Sequence, residues 1–513
     1  MCLLLGQMSV GAKSLEMFTT SETSLVSLIV LATFGILGWG FYRAKPFGKL
    51  GILAWLQSVV LISPWLLLFG SFVVGIYINT VGVLFLLVAS TGVYIWLGNQ
   101  LRASGQDAVL KGRATEMSEN SAQKASQTEK IQQPAQSPLN PDVVPIPDEE
   151  LSAIRGIFGI DTFFATETIP YQQGAIFKGN LRGEAEAVYE RLTSSLQGRV
   201  GDRYRLFLVE NLDAKPVVII LPSRNDPRPT TWLQKILAVL LAVATIATSL
   251  ETAGLVRGFD FFTNPSRFRE ALPLSLGIIA VLAAHETGHR LLARRYKVRL
   301  SPPFFLPTLQ IGAFGAITRF ESLVPNRKVL FDIAAAGPIA GGIVSLVMLL
   351  VGLLLSHQGS LFQVPVEFFQ GSILVGTLAR VVLGSAMQGP LVDVHPLTVI
   401  GWLGLVITAL NLMPAGQLDG GRIVQAIYGR KTTGRTTVTT LIVLLIASLA
   451  NPLALYWAIV IVFLQRDLER PSLNELTEPD DTRAALGLLV LFLMVTTLLP
   501  LTPSLAGRLC IGG

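Results

Sequence analysis

Ala283-Ala284-His285-Glu286-Thr287-Gly288-His289-Arg290 lies near the end of an apolar run that begins around Leu272. Residues 272–282 carry no charge and read as a membrane-spanning helix. On such a helix His285 and His289, four apart, project from one face and can grip one metal ion. Glu286 beside them is the carboxylate that a zinc hydrolase uses to take a proton from metal-bound water. The HExxH pattern by itself recurs by chance, and a helix end that happens to carry polar residues is the bland reading. Ionisable residues within an apolar helix are costly, however, and are functional by default. The stretch therefore points to a metal-dependent hydrolase with its site inside a membrane.

Composition sets the class around it. The 513 residues are 51% hydrophobic and only 14% charged, and the mean hydropathy is +0.56. Several apolar runs approach the roughly 20 residues that cross a bilayer. The fold expected is a polytopic α-helical membrane protein of about eight or nine spans, with a small α+β soluble module and a short membrane-associated β-hairpin. The net charge of +6 does not indicate nucleic-acid binding, because many basic residues flank apolar runs, where they set topology. Cys2 and Cys510 lie at opposite ends and form no ligand spacing. The first residues lack the charged region and cleavage site of a signal peptide.

Along the chain, runs 25–41, 50–76 and 81–97 make an N-terminal three-helix anchor within 1–99. Residues 100–149 are rich in Ser, Gln, Pro and charge and read as a disordered linker. Residues 150–230 read as the soluble α+β module. Its strand-like runs are 161–166, 205–209 and 216–221, and Leu181, Ala185, Val188, Tyr189, Leu192 and Leu196 form one helical stripe stopped by Gly198. Gly179-Asn180-Leu181-Arg182-Gly183 reads as a turn into that helix.

Residues 231–466 carry the core. Spans are expected at 232–250, 272–292, 329–355 and 397–413. Arg290, Arg294, Arg295, Lys297 and Arg299 put the end of the motif helix on the cytoplasmic or stroma-like side. His285 then sits roughly 8 Å inside that boundary at 1.5 Å per residue. Residues 301–320, broken by Pro302, Pro303, Pro307, Gly312 and Gly315, read as a β-like hairpin or re-entrant loop tucked against the bundle. Gly337 and Gly341 make a small-xxx-small packing face. The run 373–387 is short, carries Arg380 and is not counted as a span. His357 and His395 flank it on the far side as solvent-side residues. The run 440–464, interrupted by Asn451-Pro452, is a hairpin or one kinked span. Residues 467–513 hold a polar segment and a last span at 484–499, with no catalytic content.

Asp419 follows the break at Pro414-Ala415-Gly416 and would ordinarily cap a helix or pair with Arg422. Crossing parity raises it: one helix leaves the histidines' side and one returns, so Asp419 comes back to their side and depth. A catalytic zinc takes three protein ligands and keeps one open position. His285, His289 and Asp419 supply the three, for one Zn2+ per chain.

His285-Glu286-x-x-His289 in a membrane helix, then Gly337-Pro338, Asn411-x-x-Pro414 and Leu418-Asp419-Gly420, resembles the site-2 protease family of intramembrane zinc metalloproteases. Gly179-Asn180-Leu181-Arg182 resembles the signature of its EGY-like plastid and cyanobacterial branch. The resemblance covers about 151–464. It implies regulated intramembrane proteolysis, with His285, His289 and Asp419 on zinc, Glu286 as general base, and Asn411 orienting substrate or polarising the scissile carbonyl. It implies transmembrane protein substrates, with single-span regulators such as anti-sigma factors as examples, and a thylakoid-type or bacterial plasma membrane with the site near the cytoplasmic face. The lipid bilayer is the remaining partner expected. A transporter or channel using the same polar residues for ions, or a non-catalytic scaffold, are the competing classes; zinc content and loss of activity with chelator separate them from the protease.

Overall fold

The computed structural model describes residues 38–73, isolated positions from 86 to 100, and 146–511 apart from 172, 212–214, 450 and 466. Residues 1–138 and 139–513 form two compact units. In the first, helix α1 (Gly48–Val73) occupies the expected second run. Most of the runs 25–41 and 81–97 and most of the linker lie outside the described residues.

The second unit opens on α2 (Asp148–Arg155) and a four-stranded antiparallel sheet. Its strands are β1 (Phe163–Tyr171) and β2 (Gly174–Leu181), then β3 (Tyr204–Glu210) and β4 (Pro216–Pro222), in the order β1-β2-β4-β3. Helix α3 (Ala185–Val200) lays Val188, Leu192, Leu196 and Val200, each one turn from the next, onto the core built around Phe163, Phe177 and Leu208. The expected stripe is there from Ala185 onward, with two corrections. Leu181 is the last residue of β2, not the start of the helix. The helix runs through Gly198 and ends at Gly201, whose φ of +65° suits glycine. The stretch read as a turn at Gly179 is strand as well, because β2 is glycine-rich and lacks clean alternation. A Cβ on Gly179 would lie 2.1 Å from the Phe164 carbonyl, beside the bulge between Ala165 and Glu167.

The helical part follows. Helix α4 (Trp232–Val256) starts with a Thr231 capping box. Helix α5 (Phe268–Arg295) carries the histidine motif. Strands β5 (Phe304–Thr308) and β6 (Gly312–Ile317) form the expected hairpin. Phe314 stacks on Tyr456 and Trp457, with centroids 5.1 and 4.9 Å away. Thr248 Oγ1 donates to the Gly312 carbonyl at 2.6 Å. Protein thus covers this irregular backbone, as a bilayer interior requires.

Helix α6 (Arg327–Leu355) leads to a two-stranded sheet, β7 (Phe362–Pro365) with β8 (Leu391–Val394). Between them α7 (Ile373–Leu383) has 11 residues. At 1.5 Å each these rise about 16 Å, half a hydrocarbon core of roughly 30 Å. His357 is exposed, and His395 Nδ1 accepts the Leu397 N–H as the cap of α8 (Pro396–Asn411). Helix α9 (Asp419–Ala447) kinks at Gly429, where φ is +79°. Buried Arg327 donates to the Ala426 and Ile427 carbonyls just before that kink. Helix α10 (Pro452–Val460) folds back on α9, so 440–464 is a hairpin. Helices α11 (Asp481–Leu498) and α12 (Pro503–Arg508) end the chain.

Among the described residues four helical segments are long and apolar enough to cross a membrane: Trp232–Val256, Pro265–Arg295, Arg327–Leu355 and Asp481–Leu498. Their outer faces show Leu240, Val243, Ile343, Val347, Leu488 and Phe492, more continuous apolar surface than water tolerates.

Candidate metal centre

Helices α5 and α6 approach closely because both present glycine at the crossing. A Cβ on Gly288 would meet the Ala336 carbonyl at 2.3 Å. On the opposite side Gly337 and Gly341, one turn apart, face His289 and His285. A Cβ there would stand 2.2 Å from His289 Nε2 and 3.1 Å from His285 Cβ. The small-xxx-small face thus has a more specific task than helix packing: each glycine leaves room for one imidazole.

Asp419 arrives from another element. Helix α8 ends at Asn411 and the chain turns through Gly416, with φ of +48°, whose N–H donates to Thr437 Oγ1. The chain then restarts as α9 with Asp419 as its first residue. Gly420 and Gly421 permit the restart, since a Cβ on Gly420 would fall 1.9 Å from the Leu412 carbonyl. A carboxylate in the first turn also suits the positive end of the helix dipole.

The result is a buried triangle. His285 Nε2 lies 3.0 Å from Asp419 Oδ2, His289 Nε2 3.3 Å from the same oxygen, and the two Nε2 atoms 3.1 Å apart. Tetrahedral ligands about 2.05 Å from a zinc ion are about 3.3 Å from one another, so these three donors fit it. His289 Nδ1–H donates to the Ile333 carbonyl at 2.7 Å, which leaves Nε2 with its lone pair toward the triangle. It is the one such His/Asp cluster among the described residues.

Glu286 is buried on the same helix. Thr318 Oγ1 donates to its Oε2 at 3.0 Å, and Arg290 Nε lies 2.8 Å from Oε1. Asn411 is brought alongside, but its Nδ2 donates to the Phe314 and Ile407 carbonyls at 2.9 and 2.8 Å. It fastens β6, and Gly315 exists to receive it: φ there is +116°, and a Cβ would stand 2.4 Å from Nδ2.

Sequence reading missed two residues of this site, Thr318 and Glu469, and met a third, Arg422, only as an ordinary pairing partner for Asp419. Thr318, just after β6, holds Glu286. Arg422 donates to the Thr318 carbonyl at 2.8 Å and sits 3.9 Å from Asp419 Oδ1. Its close partner is Glu469, at 2.9 Å, from the polar segment read as inert. Only the fold joins them; Glu469 stands 47 residues beyond Arg422 with no motif around it. The next residues of that segment reach the four-stranded sheet: Leu473 and Glu475 exchange backbone hydrogen bonds with Leu208 of β3, an isolated parallel bridge at the sheet's edge.

Comparison with known proteins agrees with this geometry. Peptidase family M50 matches residues 273–450, and the EGY3 middle domain matches 152–227. The chain is 39% identical to the probable zinc metalloprotease EGY2, chloroplastic, of Arabidopsis thaliana, over 70% of this chain and 66% of that protein. It is 36% identical to the probable zinc metalloprotease EGY1, chloroplastic, of the same plant, over 73% and 75%. With the probable zinc metallopeptidase EGY3, chloroplastic, the identity is 32% over 68% and 65%. The chain thus spans about two thirds to three quarters of these relatives. No solved structure matches it. A histidine–aspartate triangle of zinc dimensions inside apolar helices, in a chain this similar to chloroplast zinc metalloproteases, belongs to peptidase family M50 and marks an EGY-type membrane zinc metalloprotease.

Proposed function

We propose that the chain hydrolyses peptide bonds in or beside transmembrane segments of membrane proteins, as a step of regulated intramembrane proteolysis. The observation that carries the reading is the buried His285–His289–Asp419 triangle with Glu286 next to it on an apolar helix. His285, His289 and Asp419 would hold Zn2+, which when bound supplies Lewis-acid polarisation of the scissile carbonyl and acidifies water. Glu286 takes the proton of the attacking water and passes it to the leaving amine. Thr318 holds one of its oxygens by a hydrogen bond, and the Arg290 guanidinium stands by the other as an ion pair, leaving that oxygen without a hydrogen-bond partner among the described residues and open to the water. Asn411 orients substrate through the hairpin, by clamping Phe314 of β6. A membrane helix hides its carbonyls in internal hydrogen bonds, so the substrate unwinds first, and the β5–β6 edge offers it a strand partner.

The basic run after the motif favours a site near the cytoplasmic or stroma-like face. The chloroplast relatives favour a thylakoid-type membrane, or its bacterial counterpart. Transmembrane substrates, among them single-span regulators, fit this placement, and the soluble module would screen them from above α4.

The test compares zinc per chain and cleavage of a single-span substrate for wild type, Glu286→Gln and Asp419→Ala. Zinc kept without cleavage in the first variant, and both lost in the second, is the expected pattern. Undiminished cleavage by Glu286→Gln would sink the base assignment.

A further inference from the structure

Next to the metal centre lies a polar cleft of about 580 Å³. Its walls come from the stretch before α4, from the exit of the hairpin and from the segment after α10. Gln417 lines both this cleft and the pocket that holds His289 and Asp419. Arg319 in its wall directly follows Thr318, the residue that holds Glu286. A peptide leaving the site along the hairpin therefore runs into the cleft.

Its charges are uneven. Two of its acids are neutralised from within the fold: Asp226 pairs with Arg205 at 3.0 Å and Glu469 with Arg422. Glu321 accepts from the N–H and the hydroxyl of Thr230. The arginines are not matched. Arg224 and Arg228 make no ion pair or hydrogen bond among the described residues. The Arg319 guanidinium rests over the Phe304 ring at 5.4 Å, and Arg470 gives one N–H to the Asn225 carbonyl at 3.2 Å. All four are exposed. Arginine clusters of this kind recognise carboxylates through their forked donors.

We propose that this cleft binds an acidic segment of the substrate, immediately outside its membrane helix on the active-site side, and so selects substrates by the charge of that flank. The inference rests on the proteolytic reading above and adds a substrate class to it. It has a discriminating consequence. Membrane proteins ordinarily carry Lys and Arg on the cytoplasmic flank of a span, and those chains are repelled. Substrates with Asp and Glu there are admitted, more strongly at low ionic strength, because the arginines are solvent-exposed.

The experiment uses the full chain carrying Glu286→Gln, so that binding is read without turnover. Three single-span substrates, identical except for an acidic, a Ser/Gly or a lysine-rich flank, are titrated against it in detergent. The acidic flank should bind about tenfold more tightly than the neutral one, ~1.4 kcal/mol. Adding Arg224→Gln and Arg228→Gln should erase that preference while leaving the neutral flank's affinity unchanged. Arg224→Glu with Arg228→Glu should reverse it toward lysine. Equal affinities for all three flanks overturn the proposal. So does binding of phosphatidylglycerol vesicles that depends on Arg224 and Arg228 while the flanks bind alike, which would assign the cleft to lipid headgroups. Flank-dependent binding, with no cleavage of any of the three by otherwise wild-type chain, upholds the cleft and defeats the proteolytic reading.

Discussion

Gly337→Ala tests the construction of the site most sharply. In an exposed helix the change would stabilise by about 1 kcal/mol, from backbone propensity alone. Here the added carbon would stand 2.2 Å from His289 Nε2 and 2.5 Å from two further ring carbons. Comfortable carbon contacts begin near 3.5 Å, so the shortfall is about 1.3 Å. The ring cannot swing away freely, because its Nδ1–H is tied to the Ile333 carbonyl of α6, one turn before Gly337. Backing α5 off would give up the close packing of Gly288 on the Ala336 carbonyl. Either the helices part by more than 1 Å or the imidazole leaves the triangle. A misplacement of that size costs on the order of 10²-fold in rate, and disturbing a ligand's support costs about 10–100-fold in metal affinity. The assay is zinc per chain and kcat/KM on a single-span substrate, with Gly342→Ala as control. A Cβ there meets only Thr408 Cγ2 at 3.7 Å, and that variant should match wild type or gain slightly in Tm. Wild-type zinc and rate in Gly337→Ala would refute the argument that glycine is present to admit the histidine.

Other outcomes follow from the same geometry. Thr318→Val removes the hydroxyl on Glu286; kcat should fall about 10–100-fold, as for a hydrogen bond to a charged group, with KM little changed and Thr318→Ser restoring the rate. Arg422→Ala strands Glu469, which is buried, and should destabilise by about 3–5 kcal/mol in thermal unfolding, with the Arg422→Ala/Glu469→Ala pair losing less than the sum. Glu475 sits outside the spans, and burial raises its carboxyl above the ordinary range. Stability from a raised acid is present below the unfolded pKa and declines as pH rises through the folded one. Glu475→Gln should therefore raise Tm at pH 7 more than at pH 4, and an equal gain at both would show that the charge is not what burial penalises. Gly315→Ala should loosen the hairpin by clashing with Asn411 and forcing φ of +116° on a side chain; unchanged protease resistance at 304–317 would count against that.

The sequence by itself determined what is local or periodic. Apolar runs of bilayer length, a pair of histidines at one-turn spacing, and prolines and glycines that stop a helix are each decided within a few residues. Crossing parity then returned Asp419 to the histidines, since a short run with Arg380 could not reach across. The hairpin was legible for the same reason: three prolines and two glycines forbid a helix at 301–320.

The tertiary structure decided the rest, because the information lies in pairings between distant segments. Gly337 and Gly341 look like any small-residue face until the helix opposite is known, and only then is each seen to admit one imidazole. Asn411, legible as a polar residue near the motif, turns out to have its amide engaged by β6. The Glu286–Thr318–Arg422–Glu469 chain joins four segments, none of which announces the next. Strand β2 escaped notice because its glycines serve a close approach to a neighbouring strand, a requirement set by β1 and invisible in β2 itself. A metal triangle needs residue types, which sequence supplies; holding its members steady needs partners, and those are chosen by the fold.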